Sequence, residues 1–166
     1  MKVSLSMQGV DAITRGLAEA PEMAKRELLA AMWEADLLVE REVKENIPAG
    51  ATGLTRASVS SDAFSTPEGV LGVVGSSSPV AGFLELGTKP HMPPVAAIEP
   101  WVRAVLGVAP AEARSVAFLI ARKIARVGTP AQHNFQRALD ATEGQIMGRF
   151  EAAAGRIALQ LAGGQA

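Results

Sequence analysis

A chain of 166 residues is long enough for one domain with an apolar core and too short for two. Its 48% apolar and 20% charged residues are typical of a globular protein rather than a disordered one. The formal net charge of −1 argues against a protein drawn to DNA or an anionic membrane by its overall field, and the lack of cysteine excludes disulfides, thiol catalysis and Cys-type zinc sites.

The N-terminal third predicts two helices. Residues 9–18 place Val10, Ile13 and Leu17 on one stripe of a short helix. No apolar segment with a cleavage site precedes it, so no secretory signal is expected. Pro21 favours the first turn of a second helix, because proline lacks the N–H that has no intrahelical partner there. Apolar residues at helical spacing continue this amphipathic helix for roughly 25 residues, until Pro48.

Beyond Gly53 the apolar period changes to that of a strand. Residues 56–61 alternate in polarity and residues 70–75 are rich in valine, which predicts two strands joined by a turn at 67–69. A two-stranded ribbon is marginally stable alone. We therefore expect this hairpin to pack on the long helix or to join the sheet of a neighbouring molecule, giving an α+β fold.

The C-terminal half predicts four helices, over residues 80–86, 98–106, 110–127 and 134–161. Ser78 at the N-cap and Gly87 after the last residue favour the first of these, although alternating apolar residues leave a strand open. The loop Thr88–Pro94 holds three prolines and is expected to be stiff. The most apolar window, residues 115–125, contains two cations and is too short to span a bilayer.

Three side chains are the only set from which a metal or acid–base site could be built, namely Glu85, His91 and His133. Their spacing matches no metal motif, and the alternative is that both histidines lie in solvent or at an interface. Glu85 is expected to accept backbone N–H bonds at the Gly87-Thr88 turn, with Arg56 as a candidate ion-pair partner. No catalytic residue, metal or cofactor is predicted.

The helix over residues 110–127 is rich in cations, three of them in its last two turns, where they favour the negative end of the helix dipole: Arg114, Arg122, Lys123 and Arg126. This is either a solvated face or a contact with DNA or an acidic neighbour. Trp101 and Phe135 are expected to be core anchors, with interface hot spots as the alternative.

Two short motifs carry a resemblance to a known family. Thr52-Gly53-Leu54-Thr55-Arg56-Ala57-Ser58 follows the long helix, and Glu85-Leu86-Gly87-Thr88 follows about thirty residues later. In order and spacing they resemble the tail-completion family (minor tail, lambda Z-like) of long-tailed phages and prophages. The start of the last helix, Gln132–Leu139, is similar to a helix start in shorter members. Residues 94–127 then resemble an inserted helical pair.

The resemblance implies one domain over residues 1–166, with a long N-terminal amphipathic helix packed on a small antiparallel β-hairpin or sheet and a helical C-terminal half. It implies a structural virion-assembly protein rather than an enzyme, made in the host cytoplasm and incorporated at the head–tail junction or upper tail end. Its partners would be tail terminator, tail tube and head–tail connector proteins. It would form a homo-oligomeric ring, six-fold to match a tail tube, with DNA only passing through the lumen and no membrane contact.

The candidate motif and interface residues under this interpretation are Gly53, Leu54, Arg56, Ser58, Glu85, Gly87, Thr88, Pro90, His91, Pro93, Trp101 and Phe135. The hairpin edge over Val70–Val74 and the Thr88–Pro94 loop are the candidate contacts within the ring. Two alternatives stay open, a small metal-dependent hydrolase using Glu85, His91 and His133, and a helical adaptor protein of the bacterial host.

Overall fold

The computed structural model of the protein describes residues 2–4 and 22–163, so the short helix expected over residues 9–18 lies outside the described residues. The elements run in the order β1 (Lys2–Ser4), α1 (Glu22–Asn46), α2 (Leu54–Ala57), β2 (Val59–Thr66), β3 (Gly69–Ser76), α3 (Pro79–Leu86), α4 (Val95–Leu106), α5 (Pro110–Val127) and α6 (Asn134–Gly163). The expected α+β class, with a long first helix on a small antiparallel sheet and a helical C-terminal half, is confirmed.

The sheet has three antiparallel strands in the order β1-β3-β2. Because β3 is the central strand, Val73 and Val74 pair with β1 on one side and with β2 on the other. The expectation that the Val70–Val74 segment offers a free edge is therefore wrong at these two residues. Among the described strands, β1 and β2 are therefore the edge strands of the sheet, with β3 between them.

The first strand of the hairpin begins later than the sequence predicts. Leu54–Ala57 form a turn of helix, and the strand starts only at Val59. Gly53 has a φ of 69° and its carbonyl accepts a hydrogen bond from the N–H of Ala57 at 2.9 Å. This left-handed residue turns the chain after α1, and glycine adopts such a conformation without the steric penalty of a side chain. Of residues 56–61, whose alternating polarity predicted a strand, only those from Val59 onward belong to one.

The core lies where α1 is packed between the sheet and α6. One face of α1 covers the inner face of β2 and β3, and its other apolar side meets α6. The buried side chains at this junction are mostly Ala, Val and Ile from α1 and α6, with Phe135 and Phe150 as the large members. Two ion pairs flank the α1–α6 seam, Arg149–Glu34 at 3.1 Å and Arg156–Glu27 at 2.8 Å.

Candidate functional site

The helices α4 and α5 form a hairpin that has few contacts with the rest of the described structure and packs chiefly on itself. Its own small core is made by Val102, Ala113 and Ala117. The chain bends by 114° between the two helices, at a short break that begins with Gly107. Within the described ranges no single helix is long and apolar enough to cross a bilayer, and α4 and α5 reach that length and apolar character only when the bent pair is taken together.

The base of this hairpin is closed by two Gly-Thr segments that lie 41 residues apart in sequence. The N–H of Thr88 donates to the carbonyl of Thr129 at 3.0 Å, the return bond measures 3.3 Å, and the two hydroxyls are 2.8 Å apart. Gly87 and Gly128 precede the bridge with φ values of 70° and 71°. A Cβ atom on either glycine would collide with the opposite backbone, 2.5 Å from the Thr129 carbonyl oxygen in the case of Gly87. The two segments thus form one closed clamp.

Glu85 fixes the start of the terminal helix. This buried residue of α3 accepts hydrogen bonds from the backbone N–H groups of Phe135 at 2.9 Å and Gln136 at 3.2 Å. These N–H groups belong to the first turn of α6, which has no intrahelical acceptors for them and where the helix dipole favours a negative charge. The sequence correctly predicted that Glu85 accepts backbone N–H bonds, but the donors lie 50 residues away rather than in the Gly87-Thr88 turn.

Arg56 caps the end of α1 and does not pair with Glu85. Its Nε and Nη2 atoms donate to the carbonyl of Ile47 at 3.0 and 2.7 Å, just beyond the last turn of the helix. Ser58 follows, with its hydroxyl 2.7 Å from that of Ser76 at the far end of β3. The first motif therefore joins the long helix to the sheet, as the second motif joins α3 to α6. Leu54, in the same motif, is exposed.

The two histidines are not drawn into a common site with Glu85. His91 is exposed, with Nδ1 2.9 Å from the carbonyl oxygen of Lys89, and His133 is exposed at the start of α6 with a φ of 52°. Both carboxylate oxygens of Glu85 already accept N–H bonds. In the part of the chain that the structure describes, no group of three His, Cys, Asp or Glu side chains is placed to hold a metal ion.

Trp101 and Phe135 differ in their surroundings. Phe135 is buried in the main core, as expected, whereas Trp101 is 37% exposed, so the expectation of a core anchor there is wrong. The inward stripe of α4 runs through Val102 and its half-buried neighbours Val95 and Ile98, which leaves the tryptophan on the outer side.

Large apolar side chains are exposed in two regions close to the second motif. The outer side of α3 presents Val80, Phe83 and Leu86, and the following loop presents Met92 beside Pro90 and Pro93. The α4–α5 hairpin presents Trp101, Val105, Leu106, Phe118, Leu119 and Val127. An open groove of about 610 Å³ runs between Val95 and Phe118, with Arg114 on its wall. Exposed apolar patches of this kind mark interaction surfaces.

Asp36 is a buried carboxyl group that the sequence interpretation did not single out. It lies on the face of α1 that packs on the sheet, is 1% exposed, and is so close to Gly72 that a Cβ there would overlap its carboxylate. Burial raises its pKa to about 7, aided by the nearby carboxylates of Asp62 and Glu40 and opposed by a hydrogen bond with the backbone of Val73. Its Oδ2 has no hydrogen-bond partner among the described residues.

The neighbouring carboxylate, Glu40, behaves in the opposite way. Burial alone would raise its pKa, but hydrogen bonds from Lys44 and Ser61, both 2.5 Å long, outweigh burial and lower it. The pKa values of these two carboxyl groups, one turn apart on α1, are therefore shifted in opposite directions. The sequence did contain a signal for this buried carboxyl group, because Asp36 lies on a stripe of α1 that is otherwise apolar.

Searches with this chain found no matching family model, no matching curated protein and no matching solved structure.

Proposed function

We propose that this protein is a structural assembly component of the head–tail junction or upper tail end of a long-tailed phage or prophage, and that it acts by association rather than by a chemical step. The order and spacing of the two motifs support this proposal through their resemblance to the tail-completion family. The α+β frame, in which a long helix lies on a small antiparallel sheet, is the one that this resemblance implies.

The observation that carries the proposal is the two-sided character of α3. Its inward side places Glu85 on the N-terminus of α6, which fixes the helix to the body. Its outward side exposes Phe83 by 58% and Leu86 by 71%, immediately before the Gly87-Thr88 clamp. A rigidly held helix that exposes large apolar side chains is suited to docking, because little conformational freedom is lost when a partner covers it.

The partners under this proposal are tail terminator, tail tube and head–tail connector proteins, and copies of the chain itself. A ring that matches a six-fold tail tube needs heterologous contacts, in which one surface of a subunit meets a different surface of the next and the rotation closes. DNA would pass through the lumen of such a ring. The protein would be assembled in the host cytoplasm and end in the neck of the virion.

The test is the mass of the purified protein by light scattering, alone and with tail terminator, tube and connector proteins of a long-tailed phage. A closed oligomer, or a complex with one of these proteins, is expected. Phe83→Lys should weaken that complex, and Leu159→Lys, at an exposed position on α6, should not. A monomer that binds none of these proteins would refute the proposal and favour a host adaptor instead.

A further inference from the structure

The α4–α5 hairpin has the composition of a buried element but lies exposed. In α4, only Glu99 and Arg103 are charged among twelve residues, yet a single residue, Val102, is buried. A helix that is apolar on most of its surface is normally covered on all sides. The hairpin core covers one side only, which leaves Trp101 and Phe118 without a covering element in the described structure. The hairpin therefore has the properties of half an interface.

The charges of the hairpin indicate an acidic partner. Residues 95–127 carry five cations and two carboxylates, a net charge of +3, so the rest of the chain carries −4. None of these five cations forms a salt bridge within the described residues, whereas five cations of α1 and α6 do. The uncompensated charge of the hairpin is thus matched by the opposite charge of the remainder of the same chain.

The arrangement of these side chains favours a protein partner over DNA. Arg114, Phe118 and Arg122 follow one another at intervals of four residues and so share one stripe of α5, with Leu119 beside them. Phosphates would pair with the two arginines but would gain nothing from covering Phe118 and Leu119, which are 47% and 56% exposed. An apolar surface with carboxylates at its rim fits both kinds of side chain.

The face of the sheet opposite α1 combines apolar side chains with one carboxylate. Strand alternation places Phe64, Leu71 and Val73 on this outer face, with Phe64 paired to Leu71 across the strands. Phe64 is 42% exposed, and Asp62 on the same face pairs with Val73. Asp62 forms no salt bridge with the side chains of residues 22–160. The face therefore offers apolar side chains and one carboxylate to a hairpin that is apolar and basic.

We propose that the α4–α5 hairpin of one copy docks on the outer face of β2 and β3 of a second copy. The two surfaces differ, so the contact is heterologous and each copy keeps one hairpin and one sheet face for its two neighbours. This inference rests on the proposed function in that it names the contact by which the ring is built. It places the principal contact on the hairpin and on the outer face of the sheet rather than on the Thr88–Pro94 loop or on a strand edge.

The experiment uses the two halves of the contact separately. Phe118→Lys damages the hairpin and Phe64→Lys damages the sheet face, each by adding a charge at an exposed site that the fold does not need. Leu159→Lys is the matched control on α6. The mass of each full-length protein, and of the equimolar mixture of the first two variants, is measured by light scattering and sedimentation at low salt.

Self-association of each of the two variants should be weaker by about tenfold or more, as for an aromatic residue at the centre of an interface, while the control assembles like the wild type. The mixture should form a 1:1 dimer and nothing larger, because one intact hairpin and one intact sheet face remain between the two proteins. Circular dichroism of each variant reports whether it is folded. If a lysine variant is unfolded, the serine variant at the same position, Phe118→Ser or Phe64→Ser, is used in its place.

Four results would overturn the docking proposal: a wild type that stays monomeric at its highest soluble concentration, a Phe64→Lys protein that assembles normally, a mixture that stays monomeric, or hairpin-dependent binding to duplex DNA or to anionic phosphatidylglycerol vesicles in place of self-association. The proposed function is decided separately by binding to the tail proteins. A wild type that binds them while both variants still assemble would retain that function and discard only this contact.

Discussion

Replacing Asp36 with asparagine should change how the stability of the protein depends on pH. The pKa of Asp36 is raised from 3.8 to about 7 in the folded protein, chiefly by burial. Below about pH 4 the group is protonated in both the folded and the unfolded states and has no effect on stability. Between about pH 4 and pH 7 the unfolded chain ionises while the folded protein holds its proton, so stability falls as pH rises. Above pH 7 the full penalty is present.

The size of this penalty follows from the shift. At about 1.4 kcal/mol per pKa unit, a rise from 3.8 to about 7 corresponds to up to about 4 kcal/mol. Asparagine has nearly the same shape and no charge, but its buried N–H groups lack an evident acceptor, which costs about 1–3 kcal/mol at every pH. The free energy of unfolding of the variant, relative to wild type, should therefore increase by up to about 4 kcal/mol between pH 4 and pH 8.

Urea unfolding followed by circular dichroism at pH 4, 6 and 8 measures this difference directly. Glu45→Gln, an exposed carboxylate on the same helix, is the control and should follow the wild type closely. If Asp36→Asn and wild type keep a constant difference across the range, then Asp36 does not hold its proton in the folded state, and the burial argument fails.

Three further substitutions test the contacts that join the elements, each by urea unfolding. Glu85→Gln should lower the free energy of unfolding by about 1–3 kcal/mol, because the amide can accept only one of the two N–H bonds at the start of α6 and has no charge; an unchanged stability would show that the cap is dispensable. Arg56→Lys should cost about 1 kcal/mol, since an ammonium group cannot reproduce the two-point contact with the Ile47 carbonyl; equal stability would contradict this geometry. Gly128→Ala should cost at least about 2 kcal/mol, because its φ is 71° and its Cβ would overlap the opposite backbone, whereas Gly155→Ala, with open space around the added atom, should be neutral or stabilising; equal effects at the two glycines would argue against the clamp.

Local features of the fold were predictable because their causes are local. The apolar period and Pro48 give the bounds of α1 to within about a residue, and Ser78 with Pro79 and Gly87 identifies α3 as a helix. The cap by Ser78 is observed, with its hydroxyl accepting a hydrogen bond from the N–H of Val80 at 3.3 Å. At Gly53 the same local logic failed, since a single left-handed residue adds a helical turn before the strand.

The contacts that build the candidate site could not be predicted because each depends on a partner far along the chain. The two Gly-Thr segments are recognisable in sequence, but only the fold shows that they pair. The position of Glu85 in the sequence indicated that it accepts backbone hydrogen bonds. It did not indicate that the donors belong to the N-terminus of α6. For Trp101, helical periodicity marks apolar positions without showing which side another element covers.

The closed base of the α4–α5 hairpin makes it a separable cassette. Because Thr88 and Thr129 are hydrogen-bonded to each other, the chain leaves the body and returns to it at one point. A short turn could join these two threonines without moving either of them, and a hairpin from another source could be inserted at the same point. Sequence change, duplication or loss within residues 89–127 would then alter what the protein recognises while the helix–sheet body and its core stay intact.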